Sequence, residues 1–115
     1  MKIAIVGTAT YRNLEAVRRY VRALDRGTMV LLPGGVGVSQ AAHEELLSLK
    51  PRIAYTLKPP RSPAVRDRLD QVAFIVDACD KLVAFWDGTD EITKRFIDRA
   101  HEAGKLAKVY RPSGQ

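Results

Sequence analysis

Hydrophobic residues along the chain follow two patterns that alternate from one end to the other. Short continuous apolar runs, typical of buried strands, are separated by segments whose apolar residues recur every three or four positions, as on one face of a helix. The runs predict strands near residues 2–6, 29–32, 53–57, 81–86 and 107–110. This alternation predicts an α/β fold with three layers, a Rossmann-like arrangement in which helices flank a parallel sheet of about five strands.

Four segments with helical spacing lie between the predicted strands. The first is predicted to begin at Asn13 as its N-cap and to end at Gly27, and the second to begin at Ser39 as its N-cap. The third has Pro63 near its first turn, and the fourth closes at Gly104. The positions predicted to face the core are Leu14, Val17, Val21, Leu24, Ala42, Leu46, Leu49, Val65, Leu69, Val72, Val76, Ile92, Phe96 and Ala100.

The length of 115 residues is that of one ordinary domain, so residues 1–115 are expected to form a single domain. Apolar residues make up 46% of the chain, and no segment approaches the roughly 20 apolar residues of a membrane span. The opening MKIAIVG is too short an apolar run for a signal peptide. We therefore expect a cytoplasmic protein with no membrane partner, in which the one cysteine, Cys79, is a buried structural thiol.

The formal net charge is +6, with a pI of about 9.8, which favours anionic partners such as nucleotides, nucleic acids or acidic surfaces. The basic residues are spread over the polar faces of the predicted helices, and this spacing favours solvated helix surfaces over a nucleic-acid footprint. His43 and His101 have no second metal ligand at a useful spacing, so neither a metal nor a cofactor is expected.

Ligands of an open parallel sheet bind outside the carboxyl ends of its strands, where three loops of this chain have unusual sequences. They are GTATYRN at residues 7–13, PGGVGVS at 33–39 and WDGTDEIT at 86–93. In the second, glycines without a Cβ let main-chain N–H groups approach a phosphate, and the following helix N-terminus adds partial positive charge. The alternative is a tight strand-to-helix turn that needs positive φ angles and binds nothing.

Asp87 follows a buried strand and precedes Gly88, so its carboxylate is expected at the sheet edge, where it can accept hydrogen bonds from a ribose or from arginine side chains. The alternative is a simple turn, with Asp90 capping the last helix. The candidate nucleotide- or phosphate-binding residues are Gly7, Thr8, Gly34, Gly35, Gly37, Val38, Ser39, Asp87, Gly88 and Thr93. Candidate base or sugar contacts are Tyr11, Arg12 and Trp86, although a tryptophan here is also typical of a core or an interface.

Four stretches together resemble the SLOG superfamily of Rossmann-like domains, which includes the DNA-processing protein A, the Lonely-guy phosphoribohydrolases and small stand-alone nucleotide-binding proteins. They are KIAIVGT, LLPGGVGVSQAAHE, ACDKLVAFWDG and AHEAGKLAKVYRP, and the resemblance spans nearly the whole chain. It implies one Rossmann-like domain that holds a nucleotide on the glycine loop.

The chain departs from the family pattern at three places. Gly7-Thr8-Ala9 lacks the arginine that usually follows the first strand, a role open to Arg12, and Ile92-Thr93 stands where a Gly-Thr is usual. The Lonely-guy motif P-G-G-x-G-T-x-x-E aligns with residues 33–41, where Val38 replaces the threonine and Ala41 replaces the catalytic glutamate. Because glycosidic cleavage needs a carboxylate near the anomeric carbon, the resemblance implies binding without cleavage.

Three functions are therefore considered. The first is a non-catalytic nucleotide-binding domain, a sensor or carrier. The second is an N-glycosidase acting on a nucleoside monophosphate through Asp87, Glu44 or Glu91, and the third is a single-stranded DNA-binding module, which the 7% aromatic content disfavours. A homodimer or higher homo-oligomer is also expected, because FIVDAC makes the third helix apolar on more than one side, as in an interface helix or in the most deeply buried helix of the domain.

Overall fold

Strands and helices alternate from Lys2 to Tyr110 in a computed structural model that describes residues 1–112. The strands are β1 (Lys2–Gly7), β2 (Met29–Leu32), β3 (Ala54–Leu57), β4 (Lys81–Phe85) and β5 (Leu106–Tyr110). The helices are α1 (Leu14–Arg22), α2 (Val38–Ser48), α3 (Val65–Ala78) and α4 (Glu91–Glu102). The predicted α/β class and element order are confirmed.

All five strands are parallel and lie in the order β3-β2-β1-β4-β5. From the central strand β1, the chain therefore adds β2 and β3 toward one edge of the sheet. It then crosses to the other side of β1 and adds β4 and β5 toward the opposite edge. Helices α1 and α2 pack against each other on one face of the sheet, and α3 and α4 pack on the other. The three-layer, Rossmann-like architecture is thus present.

The three central strands are buried on both faces, and their side chains alternate between two apolar clusters. Ile5, Leu32 and Phe85 pack beneath α1 and α2. Val6 and Leu82 pack on the opposite face, beneath α3 and α4. Near-continuous apolar strands are what a sheet covered by helices on both sides requires. No helix within residues 1–112 combines the length and apolar character needed to cross a membrane.

Two predictions about helix termini are wrong, one at the start of α2 and one at the end of α1. Helix α2 begins at Val38 with Gly37 as its N-cap, so Ser39 lies one residue inside the helix, where its hydroxyl accepts a hydrogen bond from the Gly34 N–H at 2.9 Å. Helix α1 ends at Arg22 rather than at Gly27, whose N–H instead donates to Asp25 Oδ1 in the turn before β2.

The predicted apolar face of α3 is also only partly correct. Val72 and Val76 are buried, whereas Val65 is 69% exposed and Leu69 is 37% exposed. None of residues 65–70 is buried, because the first turns of α3 border two cavities at the sheet edge instead of covering the sheet. The core contacts of α3 begin at Gln71.

Candidate functional site

A cleft of about 570 Å³ lies at the carboxyl ends of the strands. It lies at the point where the strand order changes direction, between β1 and β4, and the loops after both strands contribute to its wall. This switch point is where an open parallel sheet binds its ligands. The wall consists of Gly7, Thr8, Ala9, Thr10, Pro33, Gly34, Gly35, Val36, Pro59, Pro60, Arg68, Gln71, Asp87, Thr89, Asp90, Ile92, Thr93 and Phe96.

The glycine loop between β2 and α2, residues 33–37, forms one side of the cleft. Gly34, Gly35 and Gly37 all have φ angles between +82° and +91°, which disfavour any residue with a Cβ. At Gly37 an added Cβ would also overlap the carbonyl oxygen of Ala9. The loop is thus a tight turn, as one prediction had it, and residues 34–36 of that turn also border the cleft.

The N-terminus of α2, behind the glycine loop, has no side-chain cap and no acidic residue in its first turn. By contrast, Asn13 caps α1 and Asp90 caps α4 through their side chains. The positive end of the α2 dipole is therefore not neutralised by the chain itself, which favours an anion near the loop. One donor is already engaged, because the Gly34 N–H is bonded to Ser39.

Asp87 closes the turn after β4 and also lines the cleft. Its Oδ1 accepts hydrogen bonds from the N–H of Thr89 at 2.8 Å, the hydroxyl of Thr89 at 3.0 Å and the N–H of Asp90 at 3.2 Å. The Thr89 N–H contributes most to holding the pKa of the Asp87 carboxyl below its usual value. The carboxylate is therefore ionised at neutral pH.

Thr8 and Thr93 contribute buried hydroxyls to the cleft, and each is tied to a neighbouring aspartate. The hydroxyl of Thr8 accepts a hydrogen bond from the Asp87 N–H at 3.2 Å, which links the loops after β1 and β4. The hydroxyl of Thr93 donates to Asp90 Oδ2, while Asp90 Oδ1 accepts from the Ile92 N–H at 3.2 Å. Asp90 is thus the N-cap of α4, as the turn interpretation predicted.

The structure brings some of the predicted site residues together and separates others. Those that line the cleft are Gly7, Thr8, Gly34, Gly35, Asp87 and Thr93. Those that do not are Gly37, Val38, Ser39, Gly88, Tyr11, Arg12 and Trp86. The first three of these lie behind the glycine loop at the start of α2, where Val38 and Ser39 are buried.

The two aromatic residues predicted to contact a base lie away from the cleft. Tyr11 is buried on the α1 and α2 side of the sheet, edge-on to Phe85, and this burial raises the pKa of its hydroxyl. Trp86 lies under the guanidinium of Arg111 and donates its Nε1–H to the Asp90 carbonyl at 3.0 Å. Neither aromatic side chain therefore lines the cleft.

Two cleft residues of α3, Arg68 and Gln71, were not identified from the sequence. Pro59 and Pro60 belong to LKPPRSP, residues 57–63, whose prolines predicted a stiff loop beside the sheet that either borders a ligand or simply connects two elements, and they line the cleft. A signal was present for Gln71, because it stands four residues before Ile75 and eight before Cys79, both buried. A polar side chain on the buried side of a helix requires hydrogen-bond partners, and these often belong to a site.

The carboxylates considered for catalysis are mostly remote from the cleft. Glu44 pairs with Arg18 at 3.3 Å on the α1 and α2 side, and Glu91 is exposed at the start of α4 without lining the cleft. Ala41, which stands in place of a catalytic glutamate, is buried in the core. Within residues 1–112, no three histidine, cysteine or acidic side chains are grouped closely enough to hold a metal ion.

Comparisons of this chain with protein-family models, with curated proteins and with solved structures find no match. The fold and the composition of the cleft are therefore the observations on which a function can be based.

Proposed function

We propose that this protein binds a nucleotide or nucleotide-derived ligand in the cleft and does not cleave it. The observation that carries the proposal is the position of the cleft at the β1/β4 switch point, between the glycine loop and the Asp87 turn. Its volume of about 570 Å³ lies within the roughly 300–1,000 Å³ range of small-molecule sites.

The phosphate of this ligand is proposed to bind at the glycine loop. Main-chain N–H groups of residues 35 and 36 offer donors there, and the uncapped start of α2 behind the loop adds partial positive charge. Arg68, in the wall, adds a full positive charge. Asp87 is proposed to accept hydrogen bonds from the sugar, since its carboxylate stays ionised.

Binding without cleavage is favoured by the state of the two carboxylates in the wall. A glycosidase needs a carboxyl group with a raised pKa as its acid, or a free carboxylate as its base or nucleophile. The pKa of Asp87 is lowered by its turn, and both oxygens of Asp90 accept hydrogen bonds from α4. Asp87 can therefore act only as an ionised base or nucleophile, and Asp90 is engaged by α4, so the wall lacks the acid and base pair that the hydrolase alternative requires.

The chain is further proposed to be a small member of the SLOG superfamily and to act in the cytoplasm as a homodimer. Two of the stretches that carry the resemblance, residues 31–44 and 78–88, supply the glycine loop and Asp87, which line the same cleft. Apolar side chains of α3 remain exposed and favour self-association, with Phe74 51% exposed in addition to Val65 and Leu69.

A thermal-shift screen tests nucleotide binding directly. The purified protein is heated with nucleoside mono-, di- and triphosphates, nucleotide sugars and short single-stranded DNA, and each ligand that binds is analysed for products. A ligand at about 100 times its Kd stabilises the folded state by about 2.7 kcal/mol, which raises the Tm of a domain of this size by several degrees. We expect such a rise with a nucleotide that is recovered intact.

The substitution Gly35→Asp places a carboxylate on the loop, and Gly35→Asn is its neutral match of the same shape. An added Cβ at this position meets nothing within 4 Å, so both side chains have space, and both carry the same backbone strain from the φ of +91°. We expect Gly35→Asp to abolish the nucleotide-dependent shift and Gly35→Asn to retain most of it. Release of free base would instead establish the hydrolase, salt-dependent binding of DNA alone would establish the nucleic-acid module, and no shift at all would refute nucleotide binding.

A further inference from the structure

Gln71 is a buried polar residue on α3 that touches both loops on one side of the cleft. It is only 6% exposed, and its Nε2 donates to the carbonyl oxygen of Pro33 at 2.8 Å and to that of Lys58 at 2.9 Å. Pro33 opens the glycine loop after β2, and Lys58 opens the proline-rich loop after β3. One amide group therefore connects three elements of the cleft wall.

This connection takes the place of the next hydrogen bond in the β2–β3 ladder. The ladder ends with the Lys58 N–H donating to the Leu32 carbonyl at 2.8 Å. In a regular parallel pair the Lys58 carbonyl would next accept from the N–H of Gly34. That N–H is bonded to Ser39 Oγ instead, and Gln71 supplies the missing donor.

The same two contacts determine which way the amide of Gln71 faces. Only an NH₂ group can face two carbonyl oxygens, because an inverted amide would set its own oxygen against both of them. The donors of Gln71 are thus fully engaged, and its Oε1 is held in one orientation.

The remaining oxygen of Gln71 is open to a ligand. Among residues 1–112, no side-chain nitrogen or oxygen is sealed from solvent without a hydrogen-bond partner, and no donor of this part of the chain reaches Gln71 Oε1. Gln71 lines the main cleft and also an adjoining cavity of about 220 Å³. Its oxygen is therefore accessible from a cavity although the residue is almost completely buried.

We propose that Gln71 is both a positioning residue, which holds the glycine and proline loops at a set separation, and a specificity-determining residue, whose Oε1 accepts a hydrogen bond from the ligand. The inference rests on the proposed nucleotide binding and extends it, because it requires the ligand to bring an N–H or O–H donor to the wall beside Arg68. A base amino group and a sugar hydroxyl both meet this requirement. A fully ionised phosphate, which only accepts, does not.

The positioning role is tested without any ligand. Gln71→Met preserves the length of the side chain and removes its polar atoms, while Gln40→Met makes the same change at an exposed glutamine of α2 outside the cleft. We expect hydrogen exchange of amides in residues 34–37 and 57–62 to be faster in Gln71→Met, and to be unchanged in Gln40→Met. Exchange that is equal in Gln71→Met and the wild-type protein would overturn the positioning role. Gln71→Leu, which also loses both donors and places no charge against the two carbonyl oxygens, is the second variant if Gln71→Met does not fold.

The specificity role is tested with AMP, GMP, CMP and UMP as probes, together with their 2′-deoxy and 3′-deoxy forms and purine riboside 5′-monophosphate, which lacks the amino group of AMP. For the probe that binds the wild-type protein most tightly, we expect removal of one donor to weaken binding about ten-fold or more. Gln71→Met should bind the nucleotide and its donor-free analogue with nearly equal affinity, because this variant already lacks the acceptor. Gln40→Met should lose affinity for the analogue as the wild-type protein does. Weaker binding of the amino-free analogue identifies the base as the source of the donor, and weaker binding of a deoxy form identifies the sugar.

The outcomes separate this inference from the proposed function. If the wild-type protein binds a probe and the donor-free analogues bind equally well, the specificity role of Gln71 is overturned while nucleotide binding stands. If the analogue penalty persists in Gln71→Met, another residue accepts the hydrogen bond and the inference is again overturned. If none of the probes binds the wild-type protein, the proposed specificity is wrong, and the hydrogen-exchange comparison still decides the positioning role.

Discussion

At the scale of single residues, the close approach of two loops at the rim of the cleft depends on Gly37. Its φ is +82°, and a Cβ on it would overlap the carbonyl oxygen of Ala9 in the loop after β1. The glycine loop was recognisable from the sequence because three of its four positions from 34 to 37 are glycine. The sequence does not show which of these glycines border the cleft and which one contacts another loop, because that depends on how β1 and β2 pair.

The substitution Gly37→Ala is expected to destabilise the fold by more than its backbone strain alone would. The combination of φ +82° and ψ −125° costs a residue with a Cβ about 1–3 kcal/mol, and displacement of the β1–α1 loop adds about 1–3 kcal/mol. Gly104→Ala is the matched control, because Gly104 has a φ of +71° and open space around it, so only the conformational cost applies. Urea unfolding measures both variants, and equal losses of unfolding free energy would contradict the steric contact with Ala9.

At the scale of secondary-structure elements, the sequence predicts some helix N-caps correctly and others incorrectly. The side-chain caps Asn13 and Asp90 were predictable, because an Asn or Asp before a helical pattern satisfies free N–H groups locally. Ser39 follows the same rule and is not a cap, since its hydroxyl bonds to the Gly34 N–H instead. The exposed first turns of α3 were likewise not predictable, because helical periodicity does not say where the sheet beneath a helix ends.

Helix α4 begins at a cap whose loss is expected to be measurable. Asp90→Ala removes the acceptor for the Ile92 N–H and also leaves the hydroxyl of Thr93, which is 1% exposed, without its partner. Loss of such a cap costs about 0.5–2 kcal/mol, and an unsatisfied buried hydroxyl adds about 1–3 kcal/mol. The double variant Asp90→Ala with Thr93→Val should recover part of the loss, which urea unfolding would show. Additive losses in the two single variants and the double variant would contradict the coupling of the two residues.

At the scale of the whole molecule, the location of the cleft follows from the order of the elements. In an all-parallel sheet every strand ends at the same edge, so the three loops with unusual sequences were expected to lie together there. The loop after β3 and the start of α3 complete the wall. The prolines of LKPPRSP predicted a stiff loop that either borders a ligand or simply connects two elements, whereas no motif marks the start of α3. They reach the cleft because β3 pairs with β2 and because Gln71 connects α3 to both strand ends.

The outer surface of α3 is the part of the molecule expected to pair with a second copy of the chain. Phe74 is 51% exposed, so burial of its remaining surface contributes about half of the roughly 1.5–3 kcal/mol of a whole side chain. Light scattering after size-exclusion chromatography is expected to give the wild-type protein twice the chain mass of 12.8 kDa. Phe74→Lys should shift it to the monomer mass, whereas Leu47→Lys, a similar change at a 46% exposed position on α2, should leave the dimer intact. A wild-type protein that elutes as a monomer at the concentrations used for ligand binding would refute the homodimer, and loss of the dimer in Leu47→Lys alone would move the interface to the opposite face of the sheet.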